Sequence, residues 1–223
     1  MDQHLAQITA SAKRILQSVP EGVTVVAAAK TRTPQEVQAV IEAGITHIGH
    51  NYVQEARSMI PQIGADVTWH LIGHLQRNKA KVAVQLFDVI ETIDSLRLAR
   101  EIDKRCAAID KTLPVLIEIN SGREPNKSGV LPQDADQLVH ALGALKHLHV
   151  QGLMTMGPAV GDPENARPYF IATREIFERW SGYNLPHIDM RFLSMGMSNS
   201  YLIAIQEGAN IVRIGSKLFG ARA

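Results

Sequence analysis

The sequence is short of several things, and each shortage narrows what it can be. It holds one cysteine, Cys106, in a stretch of helical character. One thiol makes no internal disulfide, which excludes a disulfide-stapled scaffold and favours a reducing compartment. Net charge is only +1, and the basic residues are scattered along the chain. No field of one sign speaks for nucleic acid or a membrane surface as partner. The opening Met1-Asp-Gln-His-Leu-Ala-Gln7 has no apolar signal core, and no later apolar run is long enough to span a bilayer. Nothing in the composition marks a linker or a low-complexity tract. A soluble, cytoplasmic protein is expected, with one domain over residues 1–223.

What is present is a repeated strand–helix unit. Val23-Thr-Val-Val-Ala-Ala-Ala-Lys30 is apolar and β-branched, then small-sided, and is cut off by Thr31-Arg-Thr-Pro34. Before it, Leu5, Ile8, Ala12, Ile15 and Leu16 keep helical spacing. After it, Thr33-Pro34-Gln35-Glu36 is a capping box with proline in the first helical position. Further strands are predicted over 46–50, 67–73, 87–92, 114–120, 149–155, 191–196 and 209–215, each followed by a helical segment. Ser95 is predicted to cap the helix that runs to about residue 108, and Ser198 the helix that ends near Gly208. About eight such units predict a single TIM-type (β/α)8 barrel with an extra N-terminal helix. The first turn, Lys30-Thr-Arg-Thr-Pro34, has no glycine, so the dinucleotide fingerprint of an open doubly wound sheet is absent.

In such barrels the chemistry sits at the C-terminal ends of the strands. Lys30 there reads two ways. It is a strand-end lysine reaching water, or an amine at a cavity mouth that can form a Schiff base with an aldehyde. Ser194-Met-Gly-Met-Ser198 and Gly215-Ser216 each lead into a helix start. Free N–H groups at such starts bind phosphate, often after strands seven and eight; ordinary capping is the plainer reading. Arg213 shares a face with Ile211 and Gly215, so it points into the barrel and meets either an internal carboxylate or a ligand. His47, His50, His70 and His74 invite a metal, but no acidic cluster completes a hydrolytic site, and no metal is expected. Ser194 and Ser198 lack the G-x-S-x-G context of a serine nucleophile.

A reactive lysine, a phosphate cup and an inward arginine together suit pyridoxal 5'-phosphate, which has an aldehyde, a phosphate and a ring nitrogen. Six motifs run in order from about residue 23 to the end. They are Ala28-Ala-Lys-Thr31, Gly49-His-Asn-Tyr-Val-Gln-Glu-Ala56, Trp69-His-Leu-Ile-Gly-His-Leu-Gln-Arg-Asn-Lys79, Gly152-Leu-Met-Thr-Met156, Ser194-Met-Gly-Met-Ser198 and Val212-Arg-Ile-Gly-Ser-Lys-Leu-Phe-Gly220. In these motifs the sequence resembles the pyridoxal phosphate homeostasis protein family, which is itself similar to the barrel domain of alanine racemase.

The resemblance implies that Lys30 holds the cofactor as an internal aldimine, with Asn51 nearby. It implies that His70 and Met154 line the ring, and that Ser194, Gly196, Ser198, Gly215 and Ser216 surround the phosphate. Arg213 would face the pyridine nitrogen. An arginine there leaves the ring unprotonated and a poorer electron sink. A racemase also needs a second base, which in the resembled enzyme comes from a β domain. That domain is expected to be missing from a sequence that ends at Ala223. The implied role is a binding and carrier protein of vitamin B6 homeostasis, without a catalytic residue, whose recipients would be apo enzymes of this cofactor. A low-activity amino-acid racemase is the alternative. A monomer is expected, since the missing domain takes one dimer contact with it. The sequence departs from the family pattern at His50, where glutamate is common, at Arg123, where glycine is common, and at Asn199-Ser200, where an acidic residue is frequent.

Overall fold

The computed structural model describes residues 3–158 and 161–220. Eight strands form a closed parallel barrel: β1 Thr24–Ala28, β2 His47–His50, β3 Thr68–Leu71, β4 Val89–Ile93, β5 Leu113–Ile119, β6 Leu148–Thr155, β7 Ile188–Ser194 and β8 Ile211–Ile214. β8 closes on β1 with Val26 beside Arg213 and Ala27 beside Ile214. The helices are α1 Gln3–Ser18, α2 Pro34–Glu42, α3 Val53–Met59, α4 Ala80–Leu86, α5 Leu96–Ala107, α6 Ala135–Leu142, α7 Arg167–Ser181, α8 Tyr201–Gln206 and α9 Ser216–Phe219. This is the TIM-type (β/α)8 barrel, with α1 as the extra N-terminal helix.

Alternation along the strands explains the layers. Ile48, Leu71, Ile90, Val115, Ile117, Leu153, Val212 and Ile214 point outward and join the helices in one continuous core. Each such side chain contributes on the order of 1.5–3 kcal/mol when fully buried. α1 adds Ile8, Ala12 and Ile15 to that core. The predicted capping box forms: Thr33 Oγ1 accepts from Glu36 N at 3.2 Å, and Glu36 Oε2 accepts from Thr33 N at 2.8 Å. Ser95 caps α5 by accepting from Leu98 N at 3.4 Å.

The barrel interior is less usual. A small apolar cluster of Val26, Ile72 and Ile211, with Ala28 and Phe192 against them, fills part of it. Branched apolar residues normally fill all layers of such a barrel. Here His70, Glu91, Glu118, Ser194 and Arg213 are buried as well.

Two local details differ from expectation. β1 stops at Ala28, so Lys30 lies in a turn followed by Thr31 at φ 62, beyond the sheet hydrogen bonds. Ser198 does not cap α8, which starts after Ser200 without a side-chain cap. Gly196, at φ 87, bends the chain, and Ser198 faces the β8–α9 loop instead.

Candidate functional site

A cavity of about 320 Å³ opens at the C-terminal end of the barrel. Ala28 and Lys30 line it from the end of β1, Asn51 from β2 and Ile72 from β3. Met156 follows β6, and Met197, Ser198 and Asn199 come from the β7–α8 loop. Arg213, Gly215 and Ser216 complete the wall from β8 and α9, with Arg32 and Gly220 at the edge.

The turn after β1 holds Lys30 in place. Ala29 N donates to Gly49 O at 2.8 Å, and Thr31 N donates to Glu55 Oε2 at 3.4 Å. The Lys30 ammonium sits 5.0 Å from the centroid of the Tyr52 ring, within cation–π range. Alanine at position 28 leaves open volume beside the amine. Asn51 is placed by a close approach of two loops: a Cβ at Gly73 would stand 2.3 Å from the Asn51 carbonyl oxygen.

Donors gather on the opposite wall. Ser198 Oγ accepts from Gly215 N at 3.1 Å and from Lys217 N at 3.3 Å. The hydroxyl therefore occupies two N–H groups at the start of α9, next to Ser216. Free N–H groups with a hydroxyl beside them form a donor set for an anion.

Arg213 is buried, and its guanidinium is tethered from within the barrel. Nη1 donates to Ser194 Oγ at 2.6 Å and Nη2 donates to Thr155 O at 2.7 Å. Ser194 Oγ donates in turn to Glu91 Oε2 at 2.6 Å. Glu91 Oε1 meets His70 Nδ1 at 2.7 Å, and His70 Nε2 meets His47 Nδ1 at 2.9 Å. Burial alone would raise the Glu91 carboxyl, yet His70, Arg213 and Ser194 together hold it below the usual range. Burial pushes the His47 and His50 rings down to about 4. Burial, with Asp94 beside it and Arg213 opposing, pushes Glu118 up to about 7. Of the two partners that alternation left open, Arg213 meets the internal carboxylate. It reaches that group through Ser194 and still lines the cavity.

Lys30, Asn51, Ser198, Arg213, Gly215 and Ser216 come together around this one cavity. The other four residues implied by the resemblance do not line it. His70 and Ser194 form the tether of Arg213, Met154 pairs with Ser194 in the sheet register, and Gly196 turns the loop. Sequence reasoning passed over Met156 and Ile72, although each lies two residues beyond a residue it singled out, Met154 and His70. Period-two alternation puts both on the inner face. Arg32 had no such signal: it is fixed by Glu36 at 3.3 Å and by Gly220 O at 2.9 Å. Among the described residues no group of three or more His, Cys, Asp or Glu is arranged to hold a metal ion. No described helix is long and apolar enough to cross a membrane.

Comparison with known proteins matches this geometry to a family. The model for the alanine racemase N-terminal domain matches residues 3–223. The pyridoxal phosphate homeostasis protein of Aquifex aeolicus is 40% identical over 199 residues, covering 87% of this chain and 85% of that one. Its Escherichia coli namesake is 38% identical over 222 residues, covering 97% and 92%. PipY of Synechococcus elongatus, in a structure with PLP bound, superposes with a TM-score of 0.87 at 29% identity, covering 96% of this chain and all of that one. Alanine racemase from Bacillus anthracis, 17% identical with a TM-score of 0.79, shares the fold; this chain covers 56% of it. With this barrel, this cavity and these relatives, the chain belongs to the pyridoxal phosphate homeostasis protein family.

Proposed function

We propose that the protein binds pyridoxal 5'-phosphate in this cavity as a Schiff base on Lys30 and serves homeostasis of the cofactor in the cytoplasm, as a monomeric carrier without turnover of its own. One observation carries the reading: the Lys30 amine, the guanidinium of Arg213 and the donors at Ser198, Gly215 and Ser216 all face one cavity. These are the partners that an aldehyde, a ring nitrogen and a phosphate require. The PLP-bound PipY structure and the names of the relatives support it.

The linkage is a balanced condensation. The amine nitrogen bonds the aldehyde carbon, the carbonyl oxygen leaves as water, and water reverses the step. Reversibility suits storage and hand-over to apo enzymes of this cofactor. Arg213, tied to Ser194 and Thr155, presents N–H donors that do not readily give up a proton. A ring nitrogen held by such donors stays unprotonated and withdraws electrons weakly, which favours a store over a catalyst.

The test is borohydride reduction of the protein loaded with the cofactor, followed by peptide mass spectrometry. The adduct is expected on Lys30, and Lys30→Ala is expected to lose the absorption above 400 nm. A reducible adduct on another lysine in that variant overturns the anchor. Sustained loss of optical activity from L-alanine or L-serine overturns the absence of turnover.

A further inference from the structure

Some surface arginines meet a carboxylate and others, Arg57 and Arg123 among them, do not within the described residues. Arg32, Arg105, Arg167, Arg174, Arg179 and Arg191 each meet a carboxylate. The side chains of Arg77, Arg97 and Arg100 are exposed and, among the described residues, have no ion pair or hydrogen bond; the same holds for Lys104. Three of these cations share α5, and the fold brings Arg77 to them. Arg97, Arg100 and Lys104 lie at i, i+3 and i+7 on one face of α5. Arg77 comes from the short helical turn after β3. They line two contiguous grooves of about 710 and 540 Å³ that share Arg77, Arg97 and Glu101.

The groove has carboxylates, but they are already engaged. Glu101 meets Arg105 at 2.7 Å. Asp94 meets His74 at 3.1 Å and the Ser95 hydroxyl at 2.9 Å. Four like charges on one face outnumber the two carboxylates of the grooves, Asp94 and Glu101, and leave the face basic. The row from Arg97 to Lys104 is about 10 Å long at 1.5 Å per residue, which an extended segment of three or four residues spans. The guanidinium fork matches a carboxylate with two parallel hydrogen bonds. Single-stranded nucleic acid is favoured by aromatic stacking platforms, and no Phe, Tyr or Trp lines either groove. One connection, β3 to α4, contributes to both the groove and the cavity. Ile72 walls the cavity, and His74, Leu75 and Arg77 of the same connection wall the groove.

We propose that this groove docks an acidic, extended segment of a partner protein, with carboxylates on Arg77, Arg97, Arg100 and Lys104. That the partner is a recipient of the cofactor rests on the carrier reading; the docking itself does not. On that reading a docked recipient would sit on the β3–α4 connection, which also walls the cavity at Ile72.

The probe is fluorescein-labelled deca-glutamate, followed by anisotropy at low ionic strength. Wild-type protein is expected to bind it, with affinity falling as salt is added. The double variant Arg97→Glu/Arg100→Glu is expected to bind at least tenfold more weakly and to gain affinity for deca-lysine. Arg57→Glu, at an exposed arginine outside the groove, is expected to bind like wild type. Equal affinity in wild type and the double variant, or tighter wild-type binding of a ten-nucleotide polyuridine, overturns the proposal. Lys30→Ala is expected to keep peptide binding. Failure of the carrier reading, seen as no reducible adduct in wild type, is therefore separate from failure of the groove.

Discussion

Ser194 stands between Arg213 and Glu91. Its hydroxyl accepts from the guanidinium at 2.6 Å and donates to the carboxylate at 2.6 Å, while the two charges are 3.8 Å apart. A cation that lines the ligand cavity is thus neutralised from the barrel interior, through a residue with no exposed surface. Position and charge of the guanidinium are set by the fold before any ligand arrives.

Removing the carboxylate alone should therefore be expensive. Glu91→Gln leaves Arg213 buried without its counter-charge, and breaking a buried pair from one side costs about 3–5 kcal/mol. Adding Arg213→Gln should return part of that loss, with a coupling of about 1–3 kcal/mol in a double-mutant cycle. Urea unfolding of the four proteins measures it. Costs that simply add would show that the two charges do not depend on each other.

A second expectation concerns acid. His50 is fully buried, stacks on Trp69 with ring centroids 5.8 Å apart, and has no hydrogen-bond partner on either ring nitrogen among the described residues. Burial lowers it from 6.5 to about 4. Between those values the unfolded chain binds the proton and the folded one does not, so stability is lost as pH falls through this window. The loss from pH 7 to pH 5 is about 2 kcal/mol for this one ring. His47 acts in the same direction, whereas Glu118, raised to about 7, gains stability as pH falls over that range. His50→Leu should remove only the His50 share. Unfolding midpoints of variant and wild type should converge or cross between pH 7 and pH 5, and parallel curves would show that His50 does not titrate there.

Much of this architecture was legible in the sequence, because it rests on local rules. The capping box at Thr33 and Glu36, the cap at Ser95 and the β-then-α alternation need only spacing and residue type. The inward aim of Arg213 followed from alternation with Ile211 and Val212. What it would meet did not follow, because Glu91 and Ser194 lie 103 positions apart and become neighbours only when the barrel closes. The basic groove was hidden in part for the same reason: the three cations of α5 stand at helical spacing, but Arg77 reaches them from the preceding unit. Ser198 read as a cap for the helix that follows it. The bend at Gly196 sends it to α9 instead, a choice that no short-range signal carries.

Gly73 offers a test of how Asn51 is placed. A methyl group there meets the Asn51 backbone at 2.3–2.9 Å, and backbone does not yield as a side-chain tip would. Gly73→Ala should push Asn51 away from the cavity wall and weaken binding of pyridoxal phosphate at least tenfold, with the far-ultraviolet circular dichroism retained. Absorbance titration with the cofactor measures this. Wild-type affinity in a folded Gly73→Ala protein would show that Asn51 makes no contact that matters.

The sharpest test of the donor wall exchanges its hydroxyl for a carboxylate. Ser198 Oγ already accepts from Gly215 N and Lys217 N at the start of α9. An aspartate at position 198 would offer the same N–H groups a charged acceptor, worth about 0.5–1 kcal/mol at a helix start. Ser198→Asp should therefore be at least as stable as wild type in thermal unfolding without ligand. If this wall is the phosphate end, as proposed, the same charge would repel the phosphate group, and uptake of pyridoxal phosphate should fall about a hundredfold or more. Pyridoxal, which lacks the phosphate, should lose far less. If the two vitamers lose affinity equally, the wall at Ser198 and Gly215 is not the phosphate end of the cavity.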